Sequence, residues 1–187
     1  MAAEQEVLDF WFGPHGSATY GAFREAWFTV DTAFDEEIRR RFLPLYEEAA
    51  AGRLSDWKAA PESCLALVLV LDQFPRNMFR GTPRAYATDT EALATASFGV
   101  EAGYDAILPH FTRKFLYMPY MHSERLADQE RSVALFEALG EEASLKAALR
   151  HFEIIERFGR FPHRNAVLDR PSSPEEVAFL REPNSSF

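Results

Sequence analysis

The chain has 187 residues, of which 47% are hydrophobic and 26% charged, and its formal net charge is −9. This length and composition exclude an intrinsically disordered chain and predict one domain, residues 1–187, with a substantial core. The acidic charge argues against nucleic acid as a partner, because general affinity for it needs a basic field. A single cysteine excludes an internal disulfide.

The first residues and the apolar runs predict where the protein resides. Residues 1–6 contain neither the basic nor the apolar segment of a secretory signal. The longest apolar run, residues 65–71, is far shorter than a membrane span. We therefore expect a cytoplasmic protein with no membrane partner.

Helices are predicted for most of the first half of the chain. The first covers residues 4–12, and the second covers residues 31–51 with a bend at Pro44. Residues 67–71 could form a buried strand, but the length of the apolar stretch within residues 61–74 favours a helix. We expect that helix to end at Phe74, because Pro75 follows it.

The second half shows the same pattern. Thr88-Asp89-Thr90-Glu91 is predicted to be a capping box that opens a helix to Ala102, and Ser173-Pro174-Glu175-Glu176 to be a second capping box. Further helices are predicted over residues 109–118, 123–139, 143–158 and 173–181. About eight helices joined by short loops, with no pair of strands, predict an all-α bundle of antiparallel helix pairs.

Several well-known catalytic signatures are missing from the sequence. The five histidines are scattered without metal-ligand spacing, and Cys64 lies in an apolar run that predicts burial. No serine elbow, Walker loop or dinucleotide glycine fingerprint is present. We therefore predict neither a metal site nor a cofactor.

Two segments resemble each other and carry arginine and asparagine just beyond a proline turn. They are Phe74-Pro75-Arg76-Asn77-Met78-Phe79-Arg80 and Phe161-Pro162-His163-Arg164-Asn165. Asp72 precedes the first segment, and Arg157 and Arg160 precede the second. Arginine offers a planar fork of donors suited to carboxylate or phosphate. In a purely structural interpretation, Asp72 and Arg76 form a salt bridge and the asparagines cap turns.

A third segment, residues 113–124, combines aromatic and thioether side chains with His122 and Glu124 near a helix start. Glu124, Asp128 and Arg131 are spaced four and three residues apart, so they form one polar stripe on a helix. Such a stripe is either a solvated face or the wall of a pocket.

Together these segments resemble, in order and over nearly the whole chain, the bacterial family catalogued as domain of unknown function 924. The segments that carry the resemblance are residues 8–12, 71–82, 115–124, 127–132 and 157–165. The resemblance implies a helical fold similar to that of tetratricopeptide-repeat proteins. It implies no activity.

Three interpretations of the function stay open. The first is a pocket for a small anionic molecule, a carboxylate or phosphate, in which His122, His163 and Glu124 could perform acid–base catalysis. The candidate ligand-binding residues are Asp72, Arg76, Asn77, Arg80, Lys114, Asp128, Arg131, Arg157, Arg160, Arg164 and Asn165. The second is a tetratricopeptide-like module that holds a peptide or protein, and the third is a structural polar network with the function elsewhere. The sequence leaves open whether the protein is an enzyme, and also its ligand and oligomeric state.

Overall fold

A computed structural model describes residues 3–183 and 185–186. Over these residues the chain forms helices and turns without any strand, which confirms the all-α prediction. We number nine α-helices. They are α1 (Ala3–Phe12), α2 (Thr32–Ala50), α3 (Pro61–Val68, continued by a π-helical turn Leu69–Gln73 and by Phe74–Met78), α4 (Asp89–Glu101), α5 (Tyr104–Ile107), α6 (His110–His122), α7 (Leu126–Leu139), α8 (Glu142–Phe158) and α9 (Pro174–Phe179).

Helix α3 is the centre of the packing. It contacts α1, α2, α4 and α6, while α6, α7 and α8 pack on one another in chain order through short loops. Every side chain from Cys64 to Leu71 is at most 3% exposed. Burial raises the pKa of Cys64 to about 11, so this thiol is protonated at neutral pH. None of the described helices is both long and apolar enough to cross a bilayer.

The prediction that α3 ends at Phe74 is wrong, because the helix continues through Pro75 to Met78. Proline has no N–H, so the Leu71 carbonyl four residues earlier cannot receive its usual helical bond. The π-helical turn shifts the ladder, and the Phe74 N–H bonds to the carbonyl of Leu69. The Leu71 carbonyl instead accepts a hydrogen bond of 2.6 Å from the hydroxyl of Thr88.

That hydrogen bond also explains why the predicted capping box at Thr88 does not form. Thr88 precedes α4, but its side chain makes no bond to the helix end, because the hydroxyl is directed at α3. The other predicted capping box is confirmed: Ser173 and Glu176 bond reciprocally at the start of α9. The two cases differ because the Thr88 hydroxyl donates to a carbonyl on another helix, whereas the Ser173 hydroxyl bonds to the start of its own helix.

Helix α6 also runs further than predicted. It passes through Pro119 and ends at His122, whereas the sequence predicts an end at Met118. An internal proline costs a helix about 3 kcal/mol. The buried side chains of Leu116, Tyr120 and Met121 lie on both sides of it, and their packing offsets that cost. The extra turn places His122 at the end of α6.

Replacing Thr88 by valine tests the bond that carries α3 through its proline. Valine keeps the shape but leaves the buried Leu71 carbonyl without a donor, so we expect the free energy of unfolding to fall by about 1–3 kcal/mol in urea denaturation. Thr88→Ser keeps the hydroxyl and is the matched control, with a smaller loss. Equal stability of the valine variant and the wild type would contradict the assignment.

Candidate functional site

Helices α3, α6 and α8 and the α1–α2 loop (residues 13–31) line a cavity of about 700 Å³ that is partly open to solvent. Each helix contributes a stripe of side chains three or four residues apart. These are Gln73, Arg76 and Asn77 on α3, with Arg80 in the turn after it, Lys114, Met118, Met121 and His122 on α6, and Ser144, Ala147 and His151 on α8. The volume lies within the range of about 300–1,000 Å³ that is usual for small-molecule sites.

Asp72 lies fully buried beside this cavity. Its Oδ1 is 2.8 Å from Nδ1 of His122 and 3.2 Å from Nη1 of Arg76, and Gln73 donates to its Oδ2 at 2.6 Å. Burial alone would raise the pKa of this carboxyl, but Arg76 and His122 outweigh burial and hold the pKa below its usual range. Asp72 is therefore an ionised carboxylate, which accepts hydrogen bonds from His122 and Gln73 and forms an ion pair with Arg76.

The ionised carboxylate fixes the tautomer of His122. Because Asp72 can only accept, Nδ1 of His122 carries the ring proton and Nε2 is left as an acceptor. Burial lowers the pKa of His122 and Arg76 lowers it further, against the opposite effect of Asp72, so the imidazole is neutral at neutral pH. Within the described residues no hydrogen bond is made to Nε2, and His122 lines the cavity.

Arg76 and Arg164, which come from the two similar segments, meet at Asp89. Arg76 makes two bonds to this carboxylate, of 2.8 and 3.1 Å, and Arg164 makes one of 3.3 Å. Arg164 also donates to the backbone carbonyl of His122 at 3.1 Å. The ring of Tyr86 lies against both guanidinium groups, 5.7 and 4.6 Å from their central carbons. The fold thus joins Asp89 and Arg164, which are 75 positions apart in the sequence, at one site.

Charge at the site is arranged with cations towards the cavity and most carboxylates behind them. The cationic side chains that line the cavity are Arg76, Arg80, Lys114 and Arg164. Each has a carboxylate oxygen within 3.4 Å, supplied by Asp35, Asp72, Asp89 or Glu141. Of these four carboxylates, Glu141 alone lies in the described lining. Pairing lowers the cost of burying the guanidinium groups and fixes their orientation.

Three histidines line the cavity: His122, His151 and His163. The ring centroids of His122 and His151 are 6.4 Å apart. Burial lowers the pKa of His151 to about 3 and that of His163 to about 4. Among residues 3–183 and 185–186, no three histidine, cysteine or acidic side chains are placed to hold a metal ion.

Several predicted site residues lie outside the cavity lining. Both oxygens of Glu124 bind Arg170, at 2.7 and 2.9 Å, and Glu124 also accepts from the N–H of Phe161 at 2.8 Å. Asp128 accepts from the hydroxyl of Ser123 at 2.6 Å. Arg131 is exposed. The predicted stripe on α7 is therefore no wall of this cavity.

The other predicted residues outside the lining bind residues in α9 or just before it. Arg160 makes bonds of 2.6 and 2.8 Å to Glu176, and Arg157 lies 3.1 Å from Glu175. Asn165 donates to Ser172 at 3.1 Å. In the first segment Asn77 lines the cavity but also donates to Asp35, at 2.7 Å.

Sequence reasoning missed Asp89, Tyr86, His151 and the aromatic part of the α1–α2 loop. The signal for His151 was its stripe: Ala143, Ala147 and His151 recur every four residues on α8. Small residues at this spacing leave room beside a helix, and a histidine in line with them faces that space. Asp89 gave no such signal, because its partners are distant in sequence.

The chain belongs to a family described as bacterial protein of unknown function (DUF924), whose model matches residues 7–184. It is similar to a solved structure of a protein of unknown function, ATU0120, from Agrobacterium tumefaciens. The two sequences are 40% identical, and the match covers 95% of this chain and 96% of the other with a TM-score of 0.87. A comparison with curated proteins found no match.

The buried histidines predict that stability falls as the solution becomes mildly acidic. Between the ordinary pKa of 6.5 and the folded values of about 3 and 4, the unfolded chain binds protons that the folded chain does not. Each such histidine costs about 1.4 kcal/mol per pH unit below 6.5. In urea denaturation from pH 8.5 to 5, the free energy of unfolding should stay unchanged above about pH 7.5 and fall below pH 6.5.

His151→Phe tests one of these contributions by itself. The variant has one titrating group fewer, so its stability should fall less steeply between pH 6.5 and 5 than that of the wild type. Slopes that are the same for both proteins would show that His151 does not contribute.

Proposed function

We propose that the cavity binds a small organic anion, a carboxylate or a phosphate. The observation that carries the proposal is a pair of guanidinium groups, of the half-buried Arg76 and the buried Arg164, held side by side at one cavity of about 700 Å³. Arginine binds such groups through paired N–H donors in a plane. Asp89 holds both forks in position from behind, which removes much of the entropic cost of ordering them on binding.

Each of these arginines keeps donors for a ligand. A guanidinium group has five N–H bonds. Arg76 directs three, two to Asp89 and one to the backbone carbonyl of Asp72, and Arg164 directs one to Asp89 and one to the carbonyl of His122. Lys114, at the other end of α6, adds a further cation to the lining.

The peptide-binding interpretation receives less support from this geometry. The cavity has walls from three helices and a loop, and its volume suits a small molecule rather than an extended chain. The structural interpretation is compatible with ligand binding, because the same ion pairs that orient the guanidinium groups also join distant segments of the fold.

The Asp72–His122 pair favours a second role for the same site, in which His122 accepts a proton from the ligand. A neutral imidazole whose Nδ1–H is held by a carboxylate has a basic Nε2, and the resulting imidazolium would be stabilised by that carboxylate. Nε2 would accept a proton or hydrogen bond from a ligand hydroxyl, amine or water. We assign His122 this role and Asp72 the role of positioning it.

Isothermal calorimetry with a panel of short carboxylates and phosphates tests the anion site. We expect Arg76→Lys, which keeps the charge but loses the fork, to weaken binding at least tenfold, or about 1.4 kcal/mol. Arg157→Lys, at an exposed arginine paired with Glu175 outside the cavity, is the matched control and should bind as the wild type does. Circular dichroism confirms that each variant is folded. Binding that is equally strong in both variants would contradict the proposal.

Nitrogen NMR of the histidine rings tests the proton acceptor. At pH 7 we expect His122 to carry a proton on Nδ1 and none on Nε2, with a pKa below 6.5. Asp72→Asn should lower the pKa further, because Asp72 acts to raise it. Protonation of both ring nitrogens at pH 7 would exclude a base at this position.

A further inference from the structure

Large aromatic side chains stand exposed in the α1–α2 loop. Phe23 is 70% exposed and Phe28 is 53% exposed. Their rings stack on each other with centroids 5.9 Å apart, and the ring of Trp27 packs edge-on against both, at 6.2 and 6.3 Å. A cluster of exposed aromatic rings, unlike a single exposed one, is characteristic of a binding surface.

The segment that carries this cluster is packed firmly on the core. The ring of Trp27 packs on Phe115 of α6 at 5.0 Å and on Trp11 of α1 at 6.0 Å. Phe115 and Trp11 are fully buried. The segment is therefore anchored from below, with Phe23 and Phe28 directed away from the core.

The same aromatic side chains line the cavity. Phe23, Trp27 and Phe28 form part of its wall, together with apolar side chains of other elements, Met118, Met121 and Phe136. Methionine side chains are flexible and polarizable, and they adapt to apolar ligands of varied shape. The cavity thus combines a cationic region with an extended apolar one.

Helix α6 sets the distance between these two regions. His122 lies at the end that carries Arg164, while Phe115, on which Trp27 packs, lies at the other end beside Lys114. Lys114 and His122 are eight residues apart, which on an α-helix corresponds to about 12 Å. A ligand that fills the cavity along α6 therefore spans from guanidinium groups to aromatic rings.

We propose that the ligand is an amphiphilic organic anion. Its carboxylate or phosphate lies against Arg76 and Arg164, and its apolar or aromatic body, about 12 Å long, covers Met118, Phe23 and Phe28. This inference rests on the proposed function, and it adds a substrate class to it. The body would remove from water the aromatic area that the chain itself leaves exposed, and that burial supplies the affinity that a short anion lacks.

A series of straight-chain carboxylates from acetate to dodecanoate, with the corresponding alkyl phosphates, tests the length of the apolar region by calorimetry. Each buried methylene is worth about 0.8 kcal/mol, so affinity should rise about fourfold for each added carbon. The rise should stop once the chain exceeds about 12 Å, the length that α6 provides. Octan-1-ol, which has the body without the anion, should bind far more weakly than octanoate.

Phe28→Ser tests the location of the apolar body. We expect this variant to bind octanoate at least fivefold more weakly than the wild type and to bind short carboxylates equally well. Phe98→Ser is the matched control, because Phe98 is also a half-exposed phenylalanine, at 42%, but lies outside the cavity lining. It should show no change for any member of the series.

The outcomes separate the two proposals. Binding of short and long members with equal affinity, or equal losses in Phe28→Ser and Phe98→Ser, would overturn the amphiphile and leave the anion site standing. Octan-1-ol that binds as tightly as octanoate, or a series of which no member binds, would overturn the anion site itself.

Discussion

The rest of the site depends on one constraint, which is that the carboxylate of Asp72 is fully buried and charged. An isolated buried charge is too costly to persist, so it must be paired and fully hydrogen-bonded. Arg76 supplies the paired charge, and His122 and Gln73 supply the hydrogen bonds. The requirement fixes the tautomer of one ring and the orientation of one guanidinium group. It also joins the end of α3 to the end of α6.

A second carboxylate extends this arrangement across the molecule. Asp89, at the first turn of α4, binds Arg76 and also Arg164, which follows α8. The two arginines then share one acceptor and the face of Tyr86, so they lie together although 88 residues separate them in the sequence. Because the carboxylates lie mostly behind the cations, an acidic chain presents a cationic wall inside one cavity.

The parts of this architecture that depend on neighbouring residues could be predicted from the sequence. Helical periodicity gave the all-α fold, and the Ser173 capping box and the pairing of Asp72 with Arg76 are contacts within four residues. The parts that depend on distant contacts could not be predicted. Where α3 continues through Pro75, the Leu71 carbonyl is bound by the distant hydroxyl of Thr88, and Asp89 is bound by the distant Arg164. The sequence singled out Arg76, His122 and Arg164 by residue type, and only the fold shows that they share a cavity that Glu124 and Arg131 do not reach.

The most direct test of this account is a double-mutant cycle on the free energy of unfolding with Arg164→Met and Asp89→Asn. If the ion pair joins α4 to the segment after α8, each single change removes the contact between them: Arg164→Met leaves Asp89 bound to Arg76, and Asp89→Asn leaves Arg164 bound to the carbonyl of His122. The double variant should then lose less than the sum of the single losses, with a coupling energy of about 1–3 kcal/mol. Losses that add within about 0.3 kcal/mol would show that the two groups do not interact. That result would contradict the claim that Asp89 holds Arg164 in the cavity lining.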